Sequence, residues 1–335
     1  VFTILLQEFV VTARAVGSRT LSRRLGEELS PATIRNTMAD LEEMGLLTHL
    51  HTSAGRVPTT LGYGLYVDLL MDRVEVSREA REHLRKAIQA ASIVGLPDLL
   101  ERASEALAHT SALISVVLTP KLAGGILHKI DLVRIASGRL LVVLTIRHGF
   151  VRSIILEISS AIADGDIEAA TRLLNQRLSG FRLDEVKRSI NARLAGSPEA
   201  ASPLIRLVVN AADRIFDDRS AGELHVDGTP NVLQHPEFAD LERMRGVIEI
   251  LEDRDVILHI LGGGEHETAE GVRISIGEEL QSERLQGCSV VAAAYTIGET
   301  EGMLGIIGPT RMDYARLIPL VNYTATTINR RLDDE

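Results

Sequence analysis

The sequence predicts an α+β multidomain protein, and three observations carry that expectation. The chain has 335 residues, enough for about two or three domains. The stretch from Ser30 to Arg56 reads as a capped helix followed by a short hairpin. From Leu113 onward, strand-like runs give way to helical segments and then resume, the pattern of an α+β domain interrupted by an insertion.

In the opening run VFTILLQEFVVTA, Phe2, Leu5, Leu6, Phe9 and Val10 recur at the spacing of a packed helix. A secretory leader is disfavoured there, because a basic start is lacking and Glu8 interrupts the apolar run. The first residue, Val1, carries the expectation that the natural start lies upstream. Gly17 then makes a turn, Ser18 caps a short helix with Leu21 and Leu25 inward, and Gly26 opens the next turn. In the helix that follows, Ser30 is a good N-cap and Pro31 suits the first helical position, where no N–H is needed. Ile34, Met38 and Leu41 form its apolar stripe, and Gly45 ends it. Two helices joined by a short glycine-containing turn make a helix-turn-helix. Leu47–Leu50, a polar turn over His51–Gly55, and a return strand from Arg56 add a two-stranded ribbon with Arg56 near its tip, the layout of a winged helix.

Thr59 caps a further amphipathic helix, with Leu61, Leu65 and Leu69 one turn apart. The charged run EVSREAREHLRKAIQAA reads as a helical connector with a wet face. LISVVL, ILHKIDLVRI, RLLVVLTI and FVRSIILEI read as strands. Three helices are expected next: one on Ile167, Leu174 and Leu178, one on Val186, Ile190 and Leu194, and one capped by Ser202 and carrying Leu204 through Ile215. ELHVDG is a short strand, and a helix on Leu241, Met244, Ile248 and Leu251 follows Pro236. DVILHIL, VRISI, CSVVAAAY and MLGIIG return to strand character, and a closing helix from Asp313 holds Pro319, where a bend or break is expected. The boundaries read as 1–75 for the winged helix, 76–112 for a helical linker, 113–160 with 236–335 for the interrupted domain, and 161–235 for the insertion.

Composition narrows the function. A net charge of −10 excludes a wholly basic nucleic-acid coat protein but not a local DNA-binding patch. Within residues 1–60, six arginines (14, 19, 23, 24, 35, 56) balance six acids (8, 27, 28, 40, 42, 43), so their placement matters more than their sum. The arginines lie before the turn and on the hairpin, whereas Asp40, Glu42 and Glu43 are expected at the far end of the recognition helix. As an isolated feature, the arginine cluster also reads as a solvated face. The single cysteine, Cys288, excludes an intrachain disulfide and sits in an apolar run as a core thiol; a reducing cytoplasm is the expected home. Without tryptophan, stacking platforms for single strands are not expected. No apolar run approaches the roughly 20 residues of a membrane span. The chain is not expected to be an enzyme and no metal or cofactor is expected. Gly262–His266 matches neither a P-loop nor a dinucleotide fingerprint, and His259 and His266 lack ligand spacing with a cysteine. His49 and His51 read as a wet wing surface.

The run Ser30–Leu47, the segment His51–Thr60, Val16–Leu21, Asn231–Phe238 and Gly308–Tyr314 together resemble the heat-inducible transcription repressor HrcA family over nearly the whole chain. The resemblance implies a winged-helix domain, a domain like the GAF sensors, and a dimerising domain inserted into it. It also implies a homodimer bound to the inverted-repeat operator of chaperone operons, with activity that depends on the GroE chaperonin and lapses on heat shock. A metabolite-responsive repressor with a GAF-like pocket is the alternative.

Only the N-terminal turns of a recognition helix reach base edges. Thr33, Arg35 and Asn36 are therefore expected on bases, with Asn suited to adenine and Arg to guanine. Ser30 at the helix start is expected on a phosphate. Ser18, Arg19 and Thr20 are expected on the DNA backbone, as are Thr52, Ser53 and Arg56 on the wing, with the minor groove open as an alternative for Arg56.

Overall fold

The structure, a computed structural model, describes residues 1–26, 28–49, 55–72, 74–90, 96–120, 124–147, 151–158, 162–216, 224–239, 241–285, 287–297 and 300–333. It opens with helices α1 (Phe2–Thr12), α2 (Ser18–Arg24) and α3 (Pro31–Glu43), then strands β1 (Leu47–Thr48) and β2 (Val57–Pro58). Helix α4 (Thr60–Leu65) widens into a π turn over Tyr66–Leu70. These elements form a head around buried Leu5, Leu6, Leu21, Ile34, Met38, Leu47 and Tyr63.

The expected inward stripe of α4 is on the wrong face: Leu61 and Leu69 are 61% and 74% exposed. Gly62, Tyr63, Gly64 and Tyr66 turn inward instead. A Cβ on Gly62 would stand 2.3 Å from the Leu46 carbonyl oxygen, so the missing side chain lets α4 lie on the head, and the tyrosines fill the remaining space. Thr59 does cap α4, its hydroxyl accepting from Gly62 N–H at 3.0 Å.

Helices α5 (Arg78–Gln89) and α6 (Leu96–Ser111) follow, then β3 (Ile114–Leu118), β4 (Leu127–Ala136), β5 (Arg139–Ile146) and β6 (Val151–Glu157). Next come α7 (Asp164–Leu178), α8 (Leu183–Leu194), α9 (Pro203–Asn210), α10 (Ala212–Phe216), β7 (Leu224–Asp227) and α11 (Thr229–Val232). The chain closes with α12 (Leu241–Glu252), α13 (Arg254–Gly262), β8 (His266–Glu267), β9 (Val272–Ile276), β10 (Cys288–Ile297), β11 (Thr300–Pro309) and α14 (Tyr314–Asp333).

The body is a six-stranded sheet in the order β7-β3-β11-β10-β9-β8, antiparallel at every pairing. Helices cover both faces. Val117, Val291, Ala293, Leu304 and Ile306 point toward α5, α6 and α14. Ile114, Val116, Val290, Ala292 and Ile307 point toward α12 and α13. Double burial explains why β3 and β10 read as unbroken apolar runs. The stretch 76–112 is thus part of the body: α5 buries Leu84 and Ile88, and α6 packs on β3, so neither is a free connector.

A separate three-stranded sheet, β4-β5-β6, carries α7 to α10 on one face. Asn175 of α7 fixes that layer by bonding the Ile130 backbone, accepting from its N–H at 2.8 Å and donating to its carbonyl at 2.6 Å. The sheets divide the chain differently from the expected cuts at 160 and 235. Strands β4–β6 go with the helical layer, and β7 belongs to the body, with Leu118 paired opposite Leu224. The inserted layer therefore leaves and re-enters the body at neighbouring positions.

Four expectations after residue 200 change. The third inserted helix divides at Ala211 into α9 and α10. DVILHIL is helix α13: Asp253 accepts from Val256 N–H at 3.3 Å, and Ile257, Ile260 and Leu261 are buried at helical spacing. A short apolar run fits a buried helix as well as a buried strand, and the cap decides. In α12 the inward residues are Val247, Ile250 and Leu251, while Ile248 is exposed. Helix α14 runs unbroken through Pro319. No helix among the described residues is long and apolar enough to cross a membrane.

Candidate nucleic-acid interface

The candidate interface is built from α2, the turn after it, α3 and the ribbon. Gly17, not Ser18, is the N-cap of α2, in extended backbone; Ser18 is its first helical residue. Leu21 is buried and Ser22 reaches across the turn, its hydroxyl donating to the Leu29 carbonyl at 2.9 Å. Gly26 adopts φ +62°, which a side chain would strain. This turn sets α3 against α2. Ser30 caps α3 by accepting from Thr33 N–H at 3.1 Å, and the two hydroxyls lie 2.9 Å apart. Ser30 and Thr33 are therefore partly committed to the cap.

Ile34 and Met38 anchor α3 in the head core. Thr33, just before Ile34, and Arg35 and Asn36, just after it, are all exposed, and Asn36 stands opposite the buried stripe. The side chains of Arg35 and Asn36 make no hydrogen bond or ion pair with another described residue. Arg19 and Arg23 are exposed on α2, and Ser18 and Thr20 are half-buried beside them.

Two arginines of the sequence cluster have internal partners. Arg24 pairs with Glu8 of α1 at 2.8 Å. Arg56 stands one residue beyond the Thr48–Val57 pair, on the loop side of the two-residue ladder. Its Nε donates to Glu42 Oε2 at 2.7 Å, and its backbone exchanges bonds of 2.9 Å with Val16. Glu42, expected to stay at the far end of α3, thus reaches the hairpin, where it also contacts His49 Nδ1. His49 is exposed, as expected, while contacting Glu42. Gly55 permits the close pass: a Cβ there would lie 2.1 Å from the Val16 carbonyl oxygen. Thr52, Ser53 and His51 lie outside the described residues.

The glycine run after α13 closes that helix. His266 is bound on both sides of its ring, Nδ1 at 2.9 Å from Asp68 and Nε2 at 3.1 Å from Glu279. Among the described residues no group of three or more His, Cys, Asp or Glu is arranged to hold a metal ion.

Residues 97–318 match the family model described as the HrcA protein C-terminal domain. A protein of Chlorobium phaeobacteroides (strain BS1), named heat-inducible transcription repressor HrcA, is 39% identical over 99% of this chain and 96% of its own length. A Geobacter sulfurreducens protein of the same name is 35% identical over 99% of this chain and 96% of its own. A crystal structure titled as that of a hypothetical protein at 2.2 Å resolution shares the fold, with a TM-score of 0.61 and 21% identity over 99% of this chain and 96% of that one. These findings define the class, a transcription repressor. Within that class the chain belongs to the HrcA family of heat-inducible transcription repressors.

Proposed function

We propose that the head is a winged helix-turn-helix that inserts the N-terminal turns of α3 into the major groove of an inverted-repeat operator. The observation that carries this reading is the exposed pair Arg35 and Asn36, whose side chains have no polar partner among the described residues, on a helix whose other face is locked into the core. Arg35 suits guanine and Asn36 suits adenine by bidentate bonding. Thr33 completes the base-facing set, with Ser30 at a phosphate. Ser18, Arg19 and Thr20 touch the DNA backbone, and Thr52, Ser53 and Arg56 serve on the wing; Arg56 has to exchange Glu42 for a phosphate to do so.

The repressor acts as a homodimer, since a palindrome is read by two copies of one helix. An apolar outer face on the β4-β5-β6 sheet supports this: Val133, Ile135, Val151 and Ile155 are 47%, 47%, 66% and 48% exposed. The six-stranded body, with helices on both faces, is a GAF-like sensor domain. The family resemblance supports repression of chaperone operons, dependence on the GroE chaperonin, loss of repression on heating, and a cytoplasmic setting.

The test is a footprint on the promoter of the organism's own chaperonin operon, with and without chaperonin. Protection of an inverted repeat, weakening steeply with salt, is expected. Equal affinity for random duplex defeats the reading. A second reading, control by a metabolite, is favoured by a cavity of 680 Å³ between β8, β9, α14 and the segment after the π turn. A thermal-shift screen with a metabolite library tests it.

A further inference from the structure

The motifs Asn231–Phe238 and Gly308–Tyr314 lie away from the DNA-facing surface, yet they meet each other and the head. Arg311 is the meeting point. Its Nε and Nη2 donate to the two carboxylate oxygens of Glu237, Nη2 at 3.2 Å. Nη1 donates to the Val10 carbonyl at 2.9 Å, a partner 301 positions away in sequence. Nη2 also stands 3.4 Å from His235 Nδ1. Burial and the nearby Arg311 charge push the His235 pKa down, which favours the neutral ring. The guanidinium is 13% exposed and its Glu237 partner 23%. A lysine could not serve these acceptors, because it offers one compact centre instead of a planar fork.

Val10 lies in the last turn of α1, where carbonyls have no helical partner and a cation is favoured. That last turn contains no basic residue of its own. Arg311 supplies the charge from the body. Helix α1 then passes the constraint on: Glu8, two residues back, pairs with Arg24 of α2, and α2 packs on α3. The same motif also grips the other end of the head, where the Tyr314 ring lies 5.8 Å from that of Tyr63 on α4.

We propose that Arg311, held by Glu237, is a positioning residue for operator recognition: it fixes the direction of the head on the body through the end of α1, without touching DNA. This rests on the operator-binding reading of the head, and the test separates the two. Spin labels at Val11→Cys on α1 and Glu252→Cys on α12, both exposed, report head-to-body distance in the full-length protein, with Cys288 buried and unlabelled. Operator affinity is measured alongside, with circular dichroism and sedimentation as checks on fold and assembly.

Arg311→Lys is expected to broaden the distance distribution and to weaken operator binding about tenfold or more, the scale of lost bonds to a charged group. Affinity for random duplex is expected to stay unchanged. Glu237→Gln, which keeps the bond to Val10, is expected to show the same changes at smaller size and serves if the lysine variant fails to fold. An unbroadened distribution overturns the proposal, and so does a broadened one with operator affinity within twofold of the parent. If the parent itself shows no operator preference, the function reading falls, and the distances alone decide whether Arg311 orients the head.

Discussion

Arg35 and Asn36 hold exposed polar groups near the start of α3 with no side-chain partner among the described residues, and that freedom is what gives them chemical reach. Replacing Arg35 by alanine removes no hydrogen bond or ion pair to another described residue. The expected outcome is unchanged melting and sedimentation with loss of operator affinity by about 1–3 kcal/mol, read by fluorescence anisotropy; affinity within twofold of the parent refutes the assignment. His266 illustrates the opposite case, a side chain whose groups are all committed. Both ring nitrogens face carboxylates, so both bonds form only when both nitrogens carry protons. Burial works to lower its pKa, but the hydrogen bonds to Glu279 and Asp68 and their charges outweigh it and raise the pKa above 6.5. The sign follows from linkage: the contribution is complete below the unfolded value near about 6.5 and disappears as pH rises through the higher folded value. Asp68→Asn should therefore lower the melting point at about pH 6 by the equivalent of about 1 kcal/mol or less, and by progressively less toward about pH 9. An equal effect at both pH values would show that the ring is not charged in the folded state.

At the scale of elements, the capped helices are legible where a cap and a stripe agree, as in α3, with Ser30, Pro31, Ile34 and Met38 all in their expected roles. Strands β3, β9, β10 and β11 are legible from β-branched runs. Helix α13 reads as a strand because its apolar run is short and buried, so periodicity does not separate the two, and the Asp253 cap is the signal that does. Asp253→Ala should cost about 1 kcal/mol, measured by urea unfolding, and no loss would deny the cap its role. The burial of α4 is illegible for another reason. Leucines at one-turn spacing outrank glycines in any hydrophobic count, yet close backbone approach at Gly62 decides which face goes inward. Sheet membership is equally hidden. The apolar run of β5 reads like that of β3, and only pairing over long range assigns it to a different layer. In the candidate site, exposure of Thr33, Arg35 and Asn36 follows from the stripe, while the capture of Arg56 by Glu42 needs a tertiary contact that spacing does not encode.

For the whole molecule, charge and topology divide the work. Residues 1–60 are neutral, six arginines against six acids, so the net charge of −10 belongs entirely to residues 61–335. An acidic body repels duplex, and a head whose arginines are partly neutralised by Glu8 and Glu42 attracts it only locally. One head alone should then bind weakly, and in the proposed homodimer pairing supplies the affinity through effective concentration. The inserted layer is the part that can be removed to test this, because its ends sit beside each other: Leu118 and Leu224 are paired across adjacent strands. Replacing residues 121–222 by a short loop keeps β7 in the body sheet, whereas cutting at 161 and 235 would remove that strand. The shortened chain is expected to melt cooperatively, to sediment as a monomer, and to bind the inverted repeat at least about a hundredfold more weakly, with each half-site read independently. A persistent dimer would assign pairing to the body instead. A monomer that kept full operator affinity would show that one head suffices, and the two-fold reading of the operator would have to be abandoned.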